Sequence, residues 1–90
     1  MKNDSVRVKL QGLYAELKKT RSSDRQTQER LRSLTAEVKD TLDHFDELRP
    51  DQQKGILARL EGAVEHFEAS HPGLTSVLND VISSLANWGL

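Results

Sequence analysis

The sequence predicts an all-α fold: an antiparallel bundle of four helices with short connections, or two helical hairpins completed by a second copy of the chain. Three observations carry this. Apolar residues recur at three- and four-residue steps in four segments, the spacing that lines one side of a 3.6-residue helix. Between the segments stand short stretches of Ser, Asp, Pro and Gly, which cap or stop helices. Thirteen leucines outweigh six valines and two isoleucines, so the apolar content suits helix rather than sheet. Ninety residues make one domain, spanning 1–90, near the size at which a single core suffices and a partner subunit often helps.

The first helix is expected over about residues 5–20, where Val6, Leu10, Leu13 and Leu17 share a side and Asn3, Asp4 or Ser5 supplies the cap. In the second, over about 24–48, Ser23 and Gln26 have the form of a capping box, and the stripe is Leu31, Leu34, Val38, Leu42, Phe45 and Leu48. Its polar start, "RQTQER", is expected to project beyond the core or meet a partner. Pro50 forces a break, because it has no N–H to donate and drives Arg49 out of helical dihedrals, yet it suits the first turn of a new helix. The third helix, about 51–69, carries Ile56, Leu57, Leu60, Ala63, Val64 and Phe67, with Glu61, Glu65 and Glu68 on its wet side. The fourth, about 72–88, starts at Pro72 and is expected to stop at Gly89, with Leu90 folding back on Leu85.

That last helix holds the clearest functional pointer. Leu74, Val77, Leu78, Val81, Ile82, Leu85 and Trp88 form a stripe wide enough for two neighbouring helices, so this is expected to be the central helix. Its other side holds Ser76, Asn79, Asp80, Ser83 and Asn87, in a chain where 30% of residues are charged. Short polar side chains let another helix approach closely. These five and Trp88 are therefore the candidate interface, and a homodimer is the expected assembly, with a protein partner of other identity as the alternative. The plain reading of the same residues is a solvated polar face, and of Trp88 a core residue.

The segment from Val64 to Leu90 resembles the C-terminal signature of a small bacterial family of short helical proteins, the domain-of-unknown-function family 4404. Phe67-Glu68, His71-Pro72, Leu85-Ala86-Asn87 and Gly89 carry the likeness. Trp88 departs from it, standing where an aliphatic residue is usual. The resemblance implies a bacterial, cytoplasmic all-helical protein with no assigned activity, and it supplies no catalytic residue, metal ligand or cofactor.

Other chemistry finds little support. With no cysteine there is no disulfide, thiolate nucleophile or Cys-containing zinc site. His44, His66 and His71 are not spaced to converge on a metal, and His71 is expected to cap the fourth helix or bridge to the preceding turn, oriented by Glu68. A weak metal or acid–base site near His71 is kept as an alternative, although no nucleophile elbow, phosphate loop or oxyanion motif accompanies it. An enzyme is not expected. Nucleic-acid binding is a further alternative, because residues 1–32 carry nine Lys/Arg against four Asp/Glu. Residues 33–68 reverse that balance, four against nine, and are expected to attract the first part. No secretory signal or membrane span is expected, which makes a cytoplasmic protein the default.

Overall fold

In the computed structural model, which describes residues 2–88 with side chains from Asp4 onward, four antiparallel helices close into one bundle measuring 38 × 20 × 20 Å. They are α1 (Lys2–Lys19), α2 (Arg25–Asp43), α3 (Pro50–Phe67) and α4 (Pro72–Asn87), with a 3-10 turn at Phe45–Glu47. The core is the expected leucine seam. Val6, Leu10, Leu13 and Leu17 of α1 are buried against Leu74, Leu78, Val81 and Leu85 of α4, with Ile56, Leu60, Ala63 and Phe67 of α3 and Leu31, Leu34 and Val38 of α2 completing it. As its wide stripe requires, α4 packs on both α1 and α3.

Three local expectations are corrected. The first helix begins at Lys2, so Asp4 and Ser5 lie inside its first turn rather than capping it. Asp24, not Ser23, caps α2: it is extended (φ −83°, ψ 124°), and its carboxylate accepts from Thr27 N at 2.9 Å and Thr27 Oγ1 at 2.8 Å. The second helix stops at Asp43, not Leu48. His44 leaves helical dihedrals (φ −119°, ψ 27°) and the next residues tighten into the 3-10 turn. A reason lies in the charges, because Asp40, Asp43, Asp46 and Glu47 would stack on the negative end of the helix dipole. Another is Pro50, which holds Arg49 extended (φ −91°, ψ 161°) and leaves too little chain for a further α-turn before the reversal. Gln52 then accepts from Arg49 N at 2.9 Å, seating the start of α3.

The two hydrogen bonds to Asp24, first from Thr27 N–H and then from Thr27 Oγ1, hold its carboxyl below the usual carboxylate range. A depressed folded pKa contributes stability above the unfolded value, and that contribution is lost as pH falls through the folded one. Asp24→Ala is therefore expected to lower the melting temperature at pH 7 by roughly a few degrees. In acid, once native Asp24 is protonated, the gap to wild type should narrow, as thermal melts at both pH values would reveal.

In the polar start of α2, Arg25, Gln26 and Glu29 are exposed, while two side chains bond within the chain. Gln28 Nε2 donates to the Ser22 carbonyl, and Arg30 Nη1 reaches the His66 ring of α3, 2.8 Å from Nδ1. Beyond this point α2 and α3 touch little. Between them lie two depressions of about 430 and 560 Å³, on either side of an ion pair from Arg59 Nη1 to Glu37 Oε1 at 2.6 Å. Gly55 and Gly62 line this side, and a Cβ built on either meets nothing within 4 Å. With space for the methyl, Gly62→Ala should stabilise the domain by about 0.5–1 kcal/mol through helix propensity, read from denaturant midpoints at unchanged slope.

Candidate interaction surface

The end of the bundle that holds the α1–α2 and α3–α4 turns is closed by His71. Its backbone N–H donates to Phe67 O at 2.7 Å, which turns the chain out of α3. Its ring stands edge-on to Phe67, with centroids 5.8 Å apart and planes at 78°. His71 Nε2 donates to the Arg21 carbonyl at 3.0 Å, tying the two turns together, and Nδ1 lies 2.9 Å from Ser70 Oγ. The imidazole thus bridges to the α1–α2 turn and makes no side-chain cap to α4. Its partners are Ser70 and Arg21, in place of Glu68. Both ring nitrogens are occupied structurally.

Of the residues that carry the C-terminal likeness, Glu68, Ala86 and Asn87 are exposed and the other described ones have structural places. Phe67 and Leu85 are core, Pro72 opens α4, and His71 joins the turns, while Gly89 lies outside the described residues. The model of the family described as "Domain of unknown function (DUF4404)" matches residues 6–90. The chain belongs to the DUF4404 family. No curated protein and no solved structure matches this DUF4404 chain. Among its described residues, no helix is long and apolar enough to cross a membrane, and no three His, Asp or Glu side chains are grouped to hold a metal ion.

At the opposite end of the DUF4404 bundle, the Trp88 and Phe45 rings stack with centroids 5.1 Å apart and planes at 3°. The Arg7 guanidinium lies over Phe45 at 4.9 Å and reaches Asp46 Oδ1 at 2.5 Å. This pair joins the basic first third to the acidic middle. Trp88 is half-buried against the core, and its exposed part lines a small depression together with Asn87, one of the polar residues grouped with it from sequence. Nearby, His44 is raised above its ordinary value because it donates to the Asp40 carbonyl at 3.0 Å, helped by the Asp40, Glu47 and Asp43 charges.

Ser76, Asn79, Asp80, Ser83 and Asn87 all face outward from α4. Asn87 Nδ2 donates to Ser83 O at 3.0 Å, one turn back. The face does not end at α4. Asn87 and Ser84 share a small depression with Ser5 of α1, and one turn along α1 stands Val8, 63% exposed, the one large apolar side chain left open among the described residues. Gly12 and Ala15 continue along the outer side of α1. Sequence reasoning missed this half of the surface, although Val8 lies off the Val6–Leu10–Leu13–Leu17 stripe and was the available signal.

The basic residues of the first third do not gather on one face. Arg7 is engaged at Asp46, whereas Lys18, Lys19, Arg21 and Arg25 are exposed about the α1–α2 turn, with Lys18 Nζ over the Tyr14 ring at 4.9 Å.

Proposed function

We propose that this DUF4404 domain is a non-enzymatic interaction module that self-associates, and that the outer face of α4 is part of the contact. One observation supports it most. The outward residues of α4 are short and uncharged apart from Asp80, while α2 and α3 turn Arg32, Lys39, Lys54, Glu61 and Glu65 to solvent. A face without long charged side chains loses little side-chain entropy and little charge solvation when covered. A second copy is the favoured occupant, because homo-oligomers with two-fold symmetry are the commonest assemblies and this face reaches Ser5 of α1, one turn from the exposed Val8.

Sedimentation across a concentration series tests this. Wild type should pass from monomer to dimer, and Ser83→Glu, which adds a long charged chain at an exposed site, should raise the dissociation constant about tenfold. A wild type that stays monomeric throughout would end the proposal.

Nucleic-acid binding is the second reading, motivated by Lys18, Lys19, Arg21 and Arg25 at one end of the bundle. It requires retardation of DNA or RNA at low salt that fades steeply with added salt. Absence of any low-salt retardation would remove it.

A further inference from the structure

We propose that two copies pair through α1, antiparallel about a two-fold axis near Gly12. This rests on the self-association reading and names the helix, direction and register of the contact.

Ser5, Val8, Gly12, Ala15 and Lys19 are all exposed, and they step along α1 by three, four, three and four residues. That is the spacing of a coiled-coil seam, here on the side of the helix away from its buried one. Val8 supplies an apolar contact still open to water, and Gly12, where a Cβ would meet nothing within 4 Å, leaves the backbone bare at the midpoint. A facing helix approaches most closely there.

The flanking charges identify the occupant as another α1. One edge of the seam carries Asp4, Gln11 and Lys18, and the other Lys9 and Glu16. Asp4 and Lys9 pair with no described residue of their own chain, and Glu16 reaches Lys19 at 3.5 Å. Laid antiparallel about Gly12, Asp4 comes opposite the partner's Lys18 and Lys9 opposite the partner's Glu16. The two-fold axis makes each match twice. Along the seam Val8 meets the partner's Ala15, and on the Asp4 edge Gln11 meets its own counterpart. A parallel pairing would match Asp4 with the partner's Lys9 but set Glu16 beside Gln11 and leave Lys18 unmatched, so the charges select the antiparallel direction. In this arrangement the edges that hold Lys9 and Glu16 lie on the same side of the dimer.

The chain has no cysteine, so single cysteines report on the pairing without background. Residues 8 and 15 of one helix are about 10 Å apart along its axis, too far for a disulfide within one chain. Under mild oxidation, a mixture of full-length Val8→Cys and Ala15→Cys should give cross-linked dimers containing one of each, with far less from either alone. Cross-linking of each variant with itself would show a parallel pair and overturn the proposal. So would cross-linking confined to Ser83→Cys, which would place the contact on α4 and leave self-association standing. A wild type that sediments as monomer and no cross-link from any variant would remove both readings. As a charge test, Lys18→Glu should raise the dimer dissociation constant about tenfold, and adding Asp4→Lys should restore it. A double variant no tighter than Lys18→Glu overturns the register.

Discussion

Phe67→Ala is expected to destabilise the domain by about 3–5 kcal/mol, the range for removing a fully buried aromatic ring. For a chain of this size that lowers the melting temperature by more than about 12 °C, which a circular dichroism melt would measure. Phe67 is among the most completely buried large side chains, and the cost is raised by its neighbours. Its ring supports the edge of His71, and His71 in turn holds the α1–α2 turn through the Arg21 carbonyl. Loss of the ring leaves a void and frees the imidazole that spans two connections. Glu68→Ala, at the adjacent exposed position, should stay within about 0.5 kcal/mol of wild type. Equal losses for the two variants would contradict this account of the bundle end.

A chain ending at Pro72 is expected to lose cooperative folding altogether. Truncation there removes Leu74, Leu78, Val81 and Leu85, all buried between α1 and α3. At about 1.5–3 kcal/mol for each buried side chain the loss is roughly 6–12 kcal/mol, comparable with the whole stability of a domain this size. It also uncovers Leu10 and Leu13 of α1 and Leu60 of α3, because α2 and α3 touch too little to close the gap. A sigmoidal thermal or urea transition in the truncated chain would contradict the central place of α4.

The architecture was legible because it is written in period and punctuation. Every apolar position expected inside is buried or half-buried, from Val6 through Trp88, since a leucine at a three- or four-residue step has one place to go. Pro50 and Pro72 fixed two helix starts to within a residue, because a residue without an N–H is welcome only in a first turn. The errors lie where two local signals competed. Ser23 and Asp24 both suit a cap, and the carboxylate reached Thr27. Phe45 fits the period of α2 but reaches the core from a 3-10 turn, because the acids around it and the coming proline end the α-helix first. At the surface, period says nothing about which residues lie side by side. Ser83 and Asn87 stood out by their lack of charge, but their continuity with Ser5 and Val8 depends on α1 lying against α4, which no spacing within one helix encodes.

The thin contact between α2 and α3 marks the side on which this molecule is expected to open first. A bundle closed firmly on three sides and bridged on the fourth by Arg59–Glu37 and Arg30–His66 has a built-in order of opening. Added electrolyte should weaken the Arg59–Glu37 bridge before it touches the leucine layers, so amide hydrogen exchange is expected to be fastest along that side while α4 keeps its grip on α1 and α3.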